Sequence, residues 1–384
     1  MRASVPASAF VAAIVGFGGT LALIIAAGMA VGAAPDQVTS LVATICLAIA
    51  IETAWLSWRY KMPVITAWST PGAALMATTT GLTVNDAVGA FIITAVLLVA
   101  TGLFQPLTRL MSRIPASVAS GMLAGIVLTF VMSAARSVAI DPWLVLPLLL
   151  AFFLIRIVSP AMSVLSVLVG GVLISWATGR IPALPPLEIS TLTWIAPEFS
   201  LAAAVSLAVP LYLVTMASQN LSGLAVLKAS GYEPPAGPLI AATGLVSLLT
   251  APFLALTTNL AAISAAICTG PDAHPDPSKR WLTGPFYAAI YLVFALFGAS
   301  LVALFAILPP SLILLVAGLG LLAPLANALS IAMADPKDRT AAAVAFAVTA
   351  SGLAVAGIGA AFWGLVAGLV VLALDAAKLR YFKQ

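Results

Sequence analysis

Long apolar runs, separated by short breaks with polar residues or proline, dominate the sequence. They predict helices at 8–32, 38–58, 87–108, 115–135, 142–158, 160–178, 200–227, 236–252, 284–307, 309–328, 339–357 and 359–376. Two shorter apolar stretches, segment 3 (64–79) and segment 10 (257–269), are interrupted by polar residues. Because a membrane-spanning helix needs about 20 apolar residues, this pattern is typical of an all-α polytopic membrane protein with 14 transmembrane segments, two of them discontinuous.

The basic residues are distributed unevenly among the breaks. Fourteen of the sixteen lie at the N-terminus or in alternate breaks: Arg2, Arg59, Lys61, Arg109, Arg113, Arg156, Lys228, Lys279, Arg280, Lys337, Arg339, Lys378, Arg380 and Lys383. Cytoplasmic loops retain Lys and Arg, so these breaks and both termini are expected to face the cytoplasm. Fourteen spans satisfy this alternation. Twelve spans would require both short segments to be re-entrant.

Composition agrees with a lipid environment. The chain is 62% hydrophobic and 7% charged, whereas soluble domains carry about 25% charged residues. No basic run is interleaved with aromatic residues, so nucleic acid is not an expected partner. The expected partner is the lipid bilayer. Cys46 and Cys268 lie in apolar runs, which favours buried thiols over a disulfide or a metal site. No cofactor is expected.

A weak internal repeat relates the two halves of the chain. Pro115 and Pro309 each open a predicted helix, and they lie 194 residues apart. Thr66 opens segment 3 and Thr257 opens segment 10, 191 residues apart. Because each half then holds seven segments, an odd number, the second half must be inverted in the membrane. The sequence therefore predicts a 7+7 inverted repeat.

Segments 3 and 10 carry the strongest functional signal. Each is expected to be an extended stretch followed by a half-helix, and paired interrupted segments of this kind mark the binding sites of secondary transporters. Pro71 suits the first turn of one half-helix, with Ser69 or Thr70 as N-cap, and Thr258 or Asn259 would cap a helix starting at Leu260. Two helix N-termini would hold an anion without Lys or Arg. Capping without ligand contact is the alternative.

Two further helices are expected to line this site. In predicted helix 8 (200–227), Thr215, Ser218, Gln219 and Ser222 share one face, Tyr212 extends the stripe and Asn220 adjoins it. Hydrogen bonding between helices is the alternative for this stripe. In the first predicted helix, Gly16, Gly18 and Gly19 permit a close approach of ligand or backbone, and Phe17 could touch an aromatic substrate. Close helix packing explains these residues equally well.

Three titratable residues are candidates for proton coupling. Glu52 lies within a predicted span, and an acid in a membrane is a functional candidate because exclusion of water favours its neutral form. Pairing or snorkelling near Arg59 is the alternative. Asp272 and His274 follow segment 10 at the predicted cytoplasmic mouth, where a solvated structural loop is the competing interpretation. The absence of clustered histidines or carboxylates within the spans argues against an enzyme.

Four stretches resemble the benzoate:proton symporter family (BenE). They read PVITAWSTPGAA (63–74), ASQNL (217–221), TNLAAI (258–263) and CTGPDAHPDP (268–277). The resemblance extends over essentially the whole chain and implies import of benzoate with protons across a bacterial inner membrane. That family is in turn similar to uracil permease-like transporters, in which a core domain moves against a gate domain. Those proteins carry an acid on helix 8, where this chain has Ser218-Gln219-Asn220.

The resemblance implies a domain organisation and a site. The core would comprise 1–110 and 200–307, the gate 111–178 and 308–384, and an extracytoplasmic interfacial linker 179–199 would join them. An elevator-type carrier would bind the substrate through Ser69, Thr70, Gly72, Tyr212, Ser218, Gln219, Asn220, Thr258, Asn259, Leu260, Phe17 and Gly18. A homodimer is allowed. A nucleobase:proton symporter, or an anion uniporter or channel of the same fold, remains the alternative.

Overall fold

A computed structural model describes residues 3–18, 20–104, 115–181, 185–355 and 358–381. Helices in the first half are α1 Ser4–Gly18, α2 Leu21–Ala30, α3 Pro35–Tyr60, α4 Thr70–Thr78, α5 Val84–Leu103, α6 Ala116–Ile140, α7 Pro142–Val158 and α8 Pro160–Ala177. The second half holds α9 Leu201–Ala229, α10 Ala236–Phe253, α11 Ile263–Thr269, α12 Thr283–Leu296, α13 Gly298–Ala306, α14 Pro310–Gly320, α15 Leu322–Ala332, α16 Arg339–Ala350 and α17 Ala360–Tyr381. Two strands, β1 Thr66–Trp68 and β2 Thr258–Leu260, complete these elements.

Membrane crossing is supported by helix length and composition. Among the described residues, seven helices are long and apolar enough to span a bilayer when α1 with α2 (Ser4–Ala30) and α14 with α15 (Pro310–Ala332) each count as one, or eight if the bent pair Pro277–Leu296 and Gly298–Ala306 is one span. Four shorter apolar helices accompany them: Pro142–Val158, Met162–Ala177, Arg339–Ala350 and Ala360–Asp375. The structure is therefore that of a mostly helical membrane protein, and the predicted fourteen spans remain a prediction.

Several predicted helices differ from the observed ones. The first, predicted over 8–32, is described as Ser4–Gly18 and Leu21–Ala30, and Gly19 between them lies outside the described residues. The predicted helix 284–307 bends by 59° between α12 and α13, and 309–328 is divided into α14 and α15 at Leu321. The predicted helix 339–357 ends at Ala350. Hydropathy detects the length of an apolar run but not a bend or a break within it, because a bend leaves the amino-acid composition of the run unchanged. Residues 105–108, Arg2, Arg109, Arg113 and Lys383 lie outside the described residues.

The helices pack in two groups. Helices α1–α5 and α9–α13 contact mainly one another, through pairs such as α5 with α10, α3 with α12 and α2 with α4. Helices α6–α8 and α14–α17 form the second group, in which α6 contacts α14, α15 and α16. Contacts between the groups include α4 with α6 and α2 with α14.

An extended strap, residues 185–199, joins α8 to α9 and lies across the first group. Its backbone N–H groups at Ser190, Ile195 and Glu198 donate to the carbonyls of Leu296, Pro252 and Asn85 at 2.8, 2.8 and 3.0 Å. Leu187 and Trp194 point outwards, 81% and 64% exposed. Because its inner side is fastened to α5, α10 and α12, the strap belongs to the first group rather than to α8, which precedes it.

Close packing in the second group depends on glycine. A Cβ atom at Gly125 of α6 would lie 2.8 Å from the carbonyl oxygen of Phe346 and 2.9 Å from the nitrogen of Ala350, both in α16. Small residues spaced four apart, Gly121 and Gly125, allow such approach.

We therefore expect Gly125→Ala to destabilise the protein by about 1–3 kcal/mol, because backbone atoms of α16 cannot move aside as a side chain can. Thermal unfolding in detergent measures the change. Gly359→Ala is the matched control, since nothing lies within 4 Å of a Cβ atom there. An equal melting temperature for the two variants would contradict the packing argument.

Candidate functional site

Segments 3 and 10 meet as a two-stranded antiparallel ladder, called here the crossing. Its register pairs Thr66 with Leu260, Ala67 with Asn259 and Trp68 with Thr258. The Ser69 N–H donates to Thr257 O at 3.1 Å and the Ala261 N–H to Ile65 O at 2.9 Å, which extends the ladder at both ends. Because the strands run in opposite directions, α4 and α11 leave the ladder at opposite ends. Each helix therefore has its N-terminus at the crossing.

The N-terminus of α4 is built by Ser69. Its hydroxyl oxygen accepts the Gly72 N–H at 3.1 Å, as an N-cap does, and also accepts the Thr215 hydroxyl of α9 at 3.1 Å. A Cβ atom at Gly72 would collide with the Leu211 side chain of α9 and lie 2.8 Å from Ser69 Oγ, so a larger residue there would require these side chains to shift. Thr70 starts the helix and is half-buried.

The second half-helix differs from its prediction. Thr258, Asn259 and Leu260 form β2, and α11 begins only at Ile263, with Ala262 as an N-cap that makes no side-chain hydrogen bond. The expectation that Thr258 or Asn259 caps a helix starting at Leu260 was wrong. These residues pair with β1 as a strand instead. The Leu260 N–H donates to Asn220 Oδ1 at 3.0 Å.

Asn259 is the most unusual residue of the crossing. It is 0% exposed, and neither its amide nitrogen nor its amide oxygen has a hydrogen-bond partner within the described part of the chain. A buried amide without partners costs about 1–3 kcal/mol, so such groups are rare unless a ligand, an ion or an ordered water satisfies them. Since side chains alternate along a strand, Asn259 and its pair Ala67 face the side of the ladder opposite to Thr258 and Thr66.

The opposite side of the ladder holds Glu52. This acid of α3 is 1% exposed, and its Oε1 atom accepts the Thr258 hydroxyl at 2.6 Å. Its Oε2 atom has no partner among the described residues. Thr258 also lies 3.0 Å from the Ser247 hydroxyl of α10. The predicted alternative of pairing with Arg59 is not observed; Glu52 contacts the crossing directly.

Helix α9 forms the third wall, and its shape was not predicted. It contains two π-helical turns, Ala204–Ala208 and Thr215–Asn220, and the second lies against β2. Such turns occur frequently at functional sites. Asn220 supports β2, while the Ser218 hydroxyl donates to Val214 O at 2.6 Å within its own helix. Gln219 is half-buried.

The structure separates some predicted residues from the crossing. The Tyr212 hydroxyl is bonded to Thr101 of α5, so it joins two helices of the same group. Gly18 packs near Leu165 of α8, where a Cβ atom would lie 3.0 Å from that side chain. Phe17 stacks on Phe294 at 4.0 Å between ring centroids and lies 5.6 Å from Trp68. Of these three residues, only Phe17 adjoins β1.

Asp272 and His274 lie in the loop after α11, at the end of that helix away from the crossing. Asp272 is exposed, whereas His274 is buried and its Nδ1 atom accepts the Asp276 N–H at 3.0 Å. Hydrogen bonds from the Ser278 hydroxyl and N–H hold the pKa of Asp276 below its usual range. These contacts make the loop a hydrogen-bonded structure remote from Asn259.

Apolar spanning helices, interrupted by two half-helices that meet at a ladder, define a membrane transport protein. The family described as benzoate membrane transport protein, BenE, matches residues 2–374. The chain belongs to this family.

Two relatives align over nearly the full length. The inner membrane protein YdcO of Escherichia coli (strain K12) is 42% identical over 97% of this chain and 96% of its own. The benzoate membrane transport protein of Acinetobacter baylyi (strain ATCC 33305 / BD413 / ADP1) is 36% identical over 94% of this chain and 92% of its own.

Solved structures share the fold. The transmembrane domain of the cyanobacterial bicarbonate transporter BicA has a TM-score of 0.60 and 15% identity, over 96% of this chain and 97% of that domain. SLC26A9 has a TM-score of 0.62 and 12% identity, over 96% of this chain and 65% of its own. These neighbours do not support the expected uracil permease-like fold; they place the chain with a related one.

Proposed function

We propose that this protein imports benzoate, or a closely related small aromatic carboxylate, together with protons across a bacterial inner membrane. The name of the Acinetobacter relative supports benzoate as substrate. The names of two structural neighbours, a bicarbonate transporter and an anion transporter, support a negatively charged substrate. No covalent chemistry is involved, and the protein acts as a carrier.

The carboxylate binds at the crossing, on the side of Asn259. The observation that carries this proposal is the Asn259 amide, which is fully buried and unpartnered and is paired with Ala67 in the strand that leads into the nine-residue helix α4. A carboxylate oxygen would accept the amide N–H, and the positive end of α4 would stabilise its charge. The half-buried Thr70, at the start of α4, and Gln219, in the π-helical turn of α9 that lies against β2, would supply further donors.

The aromatic ring of the substrate lies towards Phe17, which adjoins β1; Trp68, paired with Thr258, leaves the ladder on the side opposite to Asn259. These rings pack edge to face with Tyr291, whose centroid is 6.3 Å from Phe17 and 6.2 Å from Trp68. Offset and edge-on arrangements are the favourable geometries between aromatic rings. An aliphatic acid of equal size would lose this part of the interaction, so the cluster favours aromatic carboxylates.

Glu52 carries the proton. It is the acid that touches the crossing, and its bond to Thr258 places it one residue from Asn259, on the other side of the ladder. Protonation of Glu52 removes a negative charge from the neighbourhood of the substrate carboxylate. Binding of a proton and binding of the anion therefore support each other, which is the requirement for symport.

Transport follows an elevator mechanism with fourteen spans in a 7+7 inverted repeat. The helices α1–α5 and α9–α13 form the core that carries the crossing, and α6–α8 with α14–α17 form the gate. Their preference for contacts within each group supports this division. The excess of Lys and Arg in alternate breaks supports cytoplasmic termini.

Uptake of radiolabelled benzoate into proteoliposomes tests the function. We expect accumulation when the lumen is more alkaline than the outside, and none after a protonophore is added, because the proton gradient supplies the free energy. Excess unlabelled benzoate should compete, whereas cyclohexanecarboxylate should compete weakly. Empty liposomes are the control for diffusion of the neutral acid.

Other outcomes separate the alternatives. Uptake that equilibrates but never exceeds the outside concentration would indicate an anion uniporter or channel. Competition by uracil with no effect of benzoate would indicate a nucleobase:proton symporter.

A further inference from the structure

Among the Lys and Arg side chains that the structure describes, Arg280 alone is buried. It lies in the 3₁₀ turn Pro277–Leu282 that precedes α12 and is 8% exposed. A buried guanidinium is costly unless its N–H groups are satisfied, so its partners identify its role.

Those partners are backbone carbonyls. The Nε atom donates to His274 O at 2.7 Å, Nη1 donates to Thr269 O at 2.7 Å, and Nη2 lies 3.4 Å from Pro275 O. The ion pairs among the described residues are Arg180 with Asp141 and Lys279 with Asp276, so Arg280 has no carboxylate partner there. Its charge is balanced by carbonyl dipoles instead.

One of these carbonyls ends α11. Thr269 is the last residue of that helix, and the carbonyls at a helix C-terminus carry partial negative charge. Helix α11 has seven residues, a length at which helices are unstable alone, and its N-cap makes no side-chain bond. The hydrogen bond from the Arg280 guanidinium is therefore a strong contact at the C-terminus of a helix that is unstable on its own.

The loop that Arg280 organises is also fixed to its surroundings. The Ser4 hydroxyl of α1 donates to Ala273 O at 2.9 Å, and the Tyr232 hydroxyl donates to Pro277 O at 2.9 Å. Lys61, after α3, lies 3.9 Å from the centre of the Trp281 ring. Arg280 thus joins the C-terminus of α11 to an anchored loop.

We infer that Arg280 is a positioning residue that fixes α11, and through it the place of Asn259 and Leu260 in the crossing. A helix of seven residues is about 10 Å long, so displacement at its C-terminus is transmitted to β2. The effect on substrate affinity rests on the proposed function, whereas the effect on α11 does not.

Hydrogen–deuterium exchange on the purified full-length protein tests the inference directly. In Arg280→Met, we expect the amides of 256–270 to exchange at least about tenfold faster, while those of 70–78 in α4 keep their rates. Lys279→Met is the matched control, because it removes the same charge one residue away, from a side chain that is 61% exposed. Arg280→Lys, which keeps the charge but loses the planar fork, should lie between them.

The kinetics of benzoate uptake relate the position of α11 to transport. Arg280→Met should raise the KM for benzoate about tenfold with a smaller change in kcat, and Arg280→Lys should restore part of the affinity. Equal exchange in Arg280→Met and Lys279→Met would overturn the inference. So would faster exchange spread evenly over α3, α4 and α5, which indicates a general loss of stability.

Two outcomes keep the tests separable. If Arg280→Met does not fold, Arg280→Lys carries the test: faster exchange confined to 256–270 supports the inference, and unchanged exchange overturns it. If the wild-type protein does not bind benzoate while exchange in Arg280→Met changes only at 256–270, the proposed substrate is wrong and the role of Arg280 stands.

Discussion

Replacing Asn259 by leucine is expected to weaken benzoate binding by about ten- to a hundredfold and to make the empty protein more stable. The loss follows from a hydrogen bond to a charged group, worth about 1.5–3 kcal/mol. The gain, on the order of 1 kcal/mol, follows because leucine has a similar size and removes an amide that is buried without partners. Thermal unfolding in detergent, with and without benzoate, measures both quantities.

Asn220→Leu is the control for this prediction. Asn220 is also 0% exposed, but its Oδ1 atom accepts the Leu260 N–H at 3.0 Å. The same substitution there leaves a buried N–H group unpaired, so stability should fall by about 1–3 kcal/mol. Opposite changes in stability at the two asparagines are the expected signature. Wild-type affinity in Asn259→Leu, or a loss of stability equal to that of Asn220→Leu, would exclude Asn259 from the site.

Glu52→Gln is expected to uncouple transport from the proton gradient. Glutamine imitates the protonated acid, so benzoate should bind at every pH about as tightly as it binds the wild type at low pH. At an effective dielectric constant of about 20, two carboxylates that are not in direct contact but at roughly twice the 4 Å of a contact pair repel each other by about 2 kcal/mol. Wild-type affinity should therefore fall by about thirtyfold as pH rises through the titration of Glu52, and the variant should lack this fall.

The readouts are the benzoate dissociation constant between about pH 5 and 8, and accumulation in proteoliposomes. Asp86→Asn is the control, because Asp86 is a buried acid that caps α5 through Thr83 and bonds Ser200, away from the crossing. It should retain both the pH dependence and the accumulation. Gradient-driven accumulation by Glu52→Gln would show that another group carries the proton.

Hydropathy and breakers predicted most elements and the two interrupted segments. The helix predicted at 142–158 matches Pro142–Val158, where Asp141 caps the first turn and Ser159 ends the helix. Segment 3 was predicted as an extended stretch and a half-helix capped by Ser69 or Thr70, and β1, α4 and the Ser69 cap confirm it. These features depend on residues close together in the chain.

Features that depend on distant residues were missed. Pairing of β1 with β2 joins residues about 190 positions apart, and it displaced the predicted start of α11 from Leu260 to Ile263. The sequence pattern indicated Glu52 as a candidate for proton coupling. It could not predict the hydrogen bond from Thr258 to Glu52, since the two residues are 206 positions apart. In the sequence, Arg280 contributes only to the pattern of basic residues that predicts the orientation of the chain in the membrane. Its burial depends on how the loop folds around it, which no local pattern encodes.

The ladder at the crossing has a consequence for how substrate choice can change during evolution. Backbone groups hold β1 and β2 together, so their pairing does not depend on the identity of Ala67 or Asn259. Mutations at these two positions can alter the chemistry of the proposed site while the scaffold stays intact. Related carriers can therefore diverge towards new acids through few substitutions, without passing through misfolded intermediates.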